Sequence, residues 1–126
     1  NRTTWLQRQA EAAVRAAEAE FRKARNAAIR EVWTAYTDYR SARGQLEAVR
    51  KWVDAANESV EAARFAFDNG SGTASELQTE LTALVRAQSR MATARNDVFL
   101  ALAGLRLSTG QLIPNTVLST GKRPGS

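Results

Sequence analysis

The sequence predicts an all-α chain: a long antiparallel two-helix coiled-coil hairpin with an irregular C-terminal tail. Three observations predict it. Ala is the dominant residue, with 24 copies in 126, while Gly is 7 and Pro only 2, a balance that favours long helices. One strong turn signal interrupts the chain, Asp68-Asn69-Gly70-Ser71-Gly72-Thr73. Apolar residues recur in steps of three and four on both sides of that turn, which is the pattern of a supercoiled helix pair.

The first helix is expected over residues 5–68. From Trp5 to Asp68 there is no Pro, and Gly44 is the only Gly. Thr3 or Thr4 can supply the N-cap oxygen. One seam reads Val32, Ala35, Tyr39, Ala42, Leu46, Val49, Val53, Ala56, Val60, Ala63, Phe67. Bulky residues alternate with Ala or Val, so knobs can enter holes. Upstream the seam is Ala10, Val14, Ala17, Phe21, Ala24, Ala28. Two consecutive steps of four join the segments at Ala24, Ala28 and Val32, a stutter that locally unwinds a left-handed supercoil.

The turn is expected over residues 69–73. Gly70 accepts the left-handed conformation that follows a last helical turn. Thr73 and Glu76 have the spacing of a capping box, overlapped by Ser75 and Gln78. The second helix is expected over residues 74–108, stopped by Gly110, with Pro114 preventing resumption. Its seam reads Leu77, Leu81, Leu84, Gln88, Met91, Arg95, Val98, Leu102, Leu105. The polar members Gln88 and Arg95 are expected to cost stability and to help fix register or partner choice. Residues 1–110 thus form the hairpin. Residues 111–126, rich in Gly, Pro, Ser and Thr, read as the irregular tail.

The lengths do not match. A second helix of about 35 residues covers only about residues 34–68 of the first. Residues 5–33 overhang with their own apolar stripe of Trp5, Leu6, Val14, Phe21 and Ile29. Two helices alone also make a poor core. The chain is therefore expected to need partners, either copies of itself or further parts of a longer polypeptide. Trp33, Tyr36 and Trp52 lie off the main seam and read as a second packed face.

Composition excludes several function classes. There is no Cys and no His, so disulfides, thiolate chemistry, common zinc sites and histidine-based triads are absent. Glu11, Glu18, Glu31, Glu47 and Glu58 are scattered among Arg residues and read as a solvated helix face. No Gly-rich phosphate loop occurs. An enzyme is not expected, nor is any cofactor. The net charge of +5 is uneven. Residues 1–80 hold 12 basic and 12 acidic side chains. The excess comes from Arg86, Arg90, Arg95, Arg106, Lys122 and Arg123 against Asp97 alone. These cations are widely spaced, whereas a phosphate-tracking surface wants them clustered. Nucleic acid is not an expected partner.

From Phe67 onward the residues resemble the last hairpin of the TolC-family outer-membrane efflux channels. Phe67, Gly70, Glu76, Leu84, Ala87, Ala94-Arg95 and Gly110 carry the likeness, without a gap. The preceding helix, with Val32-Trp33-Thr34-Ala35-Tyr36 and the Val60–Phe67 run, resembles the long helix before that turn. The likeness covers roughly residues 5–112. It implies a periplasmic α-barrel in which one long helix lies beside two shorter ones stacked end to end. The partner for residues 5–33 would then be an upper short helix that this sequence lacks, as it lacks the strands of an outer-membrane barrel. The chain looks like the C-terminal quarter to third of a channel protomer.

The resemblance further implies a homotrimer, a periplasmic adaptor protein docking at the hairpin tip, and an inner-membrane pump behind it. Outer-membrane contact would come through regions absent from this chain. The implied location is the periplasmic portion of an outer-membrane duct. The docking tip would comprise Asn69, Gly70, Ser71, Gly72 and Thr73. Glu76, with Glu80, is the candidate pore-mouth carboxylate, although Glu76 equally suits helix capping. Two positions depart from the family pattern. Gly72 stands where many relatives carry a basic residue, and Thr79 stands where many carry a second acidic one. Two other readings remain open: the α-hairpin of a periplasmic adaptor (membrane-fusion) protein, and a coiled-coil scaffold or nucleic-acid-binding hairpin.

Overall fold

The computed structural model describes residues 1–110 as two helices, α1 (Arg2–Asp68) and α2 (Ala74–Gly110). They fold back on each other as an antiparallel hairpin, and no described residue forms a strand. Helix α1 has 67 residues and α2 has 37. At ~1.5 Å per residue these are rods of about 100 Å and 55 Å. The tail expected over residues 111–126 lies outside the described residues.

Both helices are slightly longer than their sequence signals. Thr3 and Thr4 lie inside the first turn of α1, so neither is the cap. Asn1 is the N-cap, with no side-chain capping bond. Its backbone oxygen accepts from the Trp5 amide at 3.3 Å. Nothing in Arg2-Thr3-Thr4 opposes helix, so each further residue simply extends the ladder. At the other end α2 runs through Ser108 and Thr109 to Gly110. Their hydroxyls donate back to the Leu105 carbonyl at 2.9 and 3.0 Å. Such back-bonding satisfies a hydroxyl without leaving the helix. Thr37, Thr79, Thr82 and Thr93 do the same to the carbonyl four residues earlier.

The α1 seam buries as its spacing predicts. Leu46, Val53, Ala56 and Val60 are buried. Val32, Ala35, Tyr39, Ala42, Val49 and Ala63 are half-buried. The last member fails: Phe67 is 44% exposed, and Ala66 is half-buried in its place. The chain reverses over Ala66, which leaves the Phe67 ring outside the helix–helix contact.

The α2 contact line differs from the expected seam at alternate positions. It runs Leu77, Glu80, Leu84, Ala87, Met91, Ala94, Val98, Ala101, Leu105, Ser108. Ala87, Ala94 and Ser108 are its buried members. Leu81, Gln88 and Arg95 are exposed, while Leu102 is half-buried beside Ala101. The reason is close approach. Ala87 packs with Val53 and Ala56 at the centre of the core, and Val49, Leu84 and Met91 close around them. Ala35, Ala42, Ala56 and Ala63 on α1 and Ala87, Ala94 and Ala101 on α2 let the axes come together, so at those three α2 layers Ala outcompetes its larger neighbour. Gln88 and Arg95 therefore do not sit in the core and do not set register.

The overhang is as the lengths require. Ala28 and Val32 are the first half-buried residues, and residues 1–27 are all exposed. Trp5, Leu6, Val14, Phe21 and Ile29 form an open apolar stripe. Trp33, Tyr36 and Trp52 are also exposed, so the second packed face expected for them is not formed within the hairpin. Trp33 and Tyr36 meet edge to face, with centroids 6.2 Å apart.

Candidate functional site

The tip of the hairpin is built by two local devices in series. The first ends α1. Asn69 is the C-cap, and Gly70 follows with φ +75°. The Gly70 amide donates to the Phe67 carbonyl at 3.0 Å, and the Ser71 amide to the Ala66 carbonyl at 2.9 Å. This is a Schellman motif, in which two otherwise orphaned carbonyls gain donors. The Ala66 oxygen also accepts from the Gly72 amide at 2.9 Å and from Ser71 Oγ at 3.2 Å. Three donors from two residues thus converge on one carbonyl.

The second device starts α2. Thr73 Oγ1 accepts from the Glu76 amide at 3.2 Å, and Glu76 Oε2 accepts from the Thr73 amide at 2.9 Å. This reciprocal pair is the capping box expected from spacing. Ser75 and Gln78 do not repeat it; they lie inside α2, where their carbonyls accept from Thr79 and Thr82. Glu76 also places a negative charge in the first turn, where the helix dipole favours it.

Asn69, Gly70, Ser71 and Thr73 are exposed, and Gly72 is half-buried against α1. A Cβ on Gly72 would lie 2.9 Å from the Ala66 Cβ, and 3.2 Å from the Ala66 carbonyl carbon and the Phe67 nitrogen. Gly72 is therefore required by contact within the turn. Gly70 has open space but a backbone conformation that other residues resist.

The two candidate carboxylates stand differently. Glu76 is exposed, with one oxygen engaged in its cap. Glu80 sits half-buried on the α2 contact line, a place the expected Leu81 seam did not give it. Sequence reasoning missed one exposed aromatic ring near the tip, Phe65, and placed another, Phe67, in the seam. Phe65 is 72% exposed and Phe67 is 44% exposed. The signal for Phe67 was its closeness to the chain reversal, which takes over the last layer. Higher up, the Arg90 guanidinium lies over the Trp52 ring at 5.9 Å. Each residue precedes a seam member by one, Met91 and Val53, so the pairing was readable once the true α2 line was known.

Among the described residues no group of three His, Cys, Asp or Glu could hold a metal ion. No described helix is long and apolar enough to cross a membrane. Among the described residues the geometry offers a helical hairpin with a small-residue, hydrogen-bonded tip and a first helix whose residues 1–27 are exposed.

The form is that of a long helical hairpin, and the comparison with family models says to which proteins it belongs. The chain belongs to the outer membrane efflux protein family, whose model matches residues 1–111. It is thus part of an outer-membrane efflux duct, a class of transport channel and not of enzyme. Comparison with curated proteins and with solved structures returned no match.

Proposed function

We propose that this hairpin is a stave in the periplasmic α-barrel of a trimeric efflux duct, and that its tip docks a periplasmic adaptor. The family match over residues 1–111 carries the first part. The apolar stripe on residues 5–29 supports it, because a stave that long needs further helices beside its upper half. Outer-membrane anchoring and the pump in the inner membrane lie beyond this chain in that scheme.

The tip reading rests on the turn. Its backbone is fixed before any partner arrives, so docking there loses little conformational entropy. Asn69, Ser71 and Thr73 offer polar contacts, while Gly70, with open space around its Cβ direction, keeps the surface low enough for a second hairpin tip to approach. The mechanism is mechanical: an adaptor that holds the tips sets how far the staves splay about the trimer axis. In this reading Glu76 and Glu80 are the candidate carboxylates of that opening, with Asp68 also beside the tip.

The chain has no Cys, which makes the test direct. A single Cys at Ser71 is expected to crosslink to the adaptor in the cell envelope, while a single Cys at Glu58 is not. If neither position crosslinks, or both do equally, tip docking fails and the wall reading stands alone.

A further inference from the structure

The two flanks of the hairpin carry different charge, and one of them is unbalanced. Residues that precede a seam member by one share a groove: Asp38 with Gly104, and Gln45 with Arg90 and Asp97. Residues that follow a seam member by one must therefore lie on the opposite flank, about 100° on from that member. On α1 these include Arg40, Arg43 and Arg50; on α2 they include Arg95 and Arg106. All five are exposed.

Their heights follow from the pairing. Ala35 shares a groove with Ser108, Val49 with Ala94, and Ala56 packs on Ala87. Equal steps along both helices place Arg106 just below Tyr36 and Arg95 between Arg43 and Arg50. The five guanidinium groups thus occupy about 20 Å of one flank. Among the described residues Glu47 is the one carboxylate on that flank in that span. Arg40, Arg95 and Arg106 have no carboxylate three or four residues away on their own helix, so no local ion pair can neutralise them. Exposed Tyr36 and Phe99 sit among them.

From this juxtaposition we propose that the flank bearing Arg40, Arg43, Arg50, Arg95 and Arg106 docks an acidic helix. The partner presents carboxylates at heptad spacing beside an apolar strip. Charge complementarity selects carboxylates. The interleaved Tyr36 and Phe99 select a protein surface over a phosphate backbone, since they offer apolar contact between the cations. The straight run along a coiled-coil edge selects a helix. This surface is remote from the tip, so the inference stands whether or not an adaptor docks there.

The test uses the full 126-residue chain and two synthetic helical peptides, one with Glu at heptad positions and one with Gln. The Glu peptide is expected to bind and the Gln peptide to bind much more weakly. Arg95→Glu with Arg106→Glu is expected to weaken the Glu peptide by about tenfold or more. Arg22→Glu with Arg25→Glu, which changes net charge equally, is expected to leave it within about threefold. Arg95→Gln with Arg106→Gln gives an intermediate loss, and circular dichroism verifies that helicity is kept. Equal weakening by both charge reversals, equal binding of the two peptides, or no binding of the Glu peptide overturns the proposal. So does tighter binding of duplex DNA through the same arginines.

Discussion

Gly72 rests on Ala66: its amide donates to the Ala66 carbonyl at 2.9 Å, and a Cβ built on it would meet the Ala66 Cβ at 2.9 Å. A bulky residue at 72 therefore disturbs the turn itself before it can block a partner. Gly72→Ala is expected to destabilise the hairpin by about 1–2 kcal/mol through overpacking. Gly70→Ala is expected to cost about 1 kcal/mol for a different reason, the left-handed φ. Thermal melts of both variants check this. Gly72→Ala melting at or above the parent temperature would show that the turn can relax away from Ala66.

The α2 contact line makes a second test. Ala87 has 0% exposure and Gln88 beside it is exposed. Ala87→Leu is expected to destabilise by roughly 1–3 kcal/mol, because the close approach leaves no room for added methylenes. Gln88→Leu is expected to stay within about 0.5 kcal/mol of the parent, as a surface change. Chemical denaturation measures both. The reverse order would restore the Leu81, Gln88, Arg95 seam.

These two sites show how much the residues themselves revealed. The turn was legible in detail because Gly70 and the Thr73–Glu76 spacing act locally, through bonds spanning a few residues. The α1 seam was legible because Leu46 and Val60 have polar neighbours that do not compete and Val53, beside Trp52, falls at the same unbroken three-and-four spacing. The α2 line was not, because at three of its four disputed layers an Ala (Ala87, Ala94 or Ala101) competes with a larger residue beside it, and at the fourth Glu80 takes the place of Leu81. Size argued for Leu81, while closeness of the two axes, which no single helix encodes, decided for the line through Ala87 and Ala94. Phe67 was misplaced for a related reason: heptad counting does not register where the chain reverses. Of the candidate site, the cap role of Glu76 was readable from spacing, but the half-buried setting of Glu80 depended on the same α2 line.

Glu76 allows capping and charge to be separated. Gln at the third position of a capping box can still accept from the Thr73 amide, but it carries no charge. Thr73→Ala is expected to cost about 1 kcal/mol, the usual loss for a Thr cap. Glu76→Gln is expected to cost less, since only the charge–dipole part is lost, about 0.3–1 kcal/mol. Melts of the isolated chain measure this. In a functioning duct, Glu76→Gln that leaves channel abundance unchanged but alters ion conductance would assign the carboxylate to the pore mouth. Unchanged conductance would assign it to the cap alone.

Gly44 lies in the interior of α1, exposed, and a Cβ there meets nothing within 4 Å. Gly44→Ala is therefore expected to stabilise the isolated chain by about 1 kcal/mol, the helix-propensity difference. A rise in melting temperature is the expected outcome. A fall would mean that another helix approaches the backbone at Gly44 in the associated state, and dilution would then abolish the effect.

The last prediction concerns the upper half of α1. Trp5, Leu6, Val14, Phe21 and Ile29 expose between 43% and 68% of their surfaces. Covering such side chains fully contributes roughly 1.5–3 kcal/mol each. Half-covering five on each of two copies is therefore of order 10 kcal/mol. Association costs an estimated 4–15 kcal/mol in lost freedom of motion. The two figures are close, so the stripe supports weak self-association and not a tight complex. The isolated chain is expected to be a 13.8 kDa monomer when dilute and to form larger species as concentration rises through the high micromolar range. Gel filtration with light scattering reads this directly. Phe21→Arg is expected to suppress the larger species without lowering helicity in residues 32–110, because Phe21 touches nothing in the hairpin body. A chain that stays monomeric at high micromolar concentration, or a Phe21→Arg variant that associates as before, would show that the stripe does not drive contact between copies.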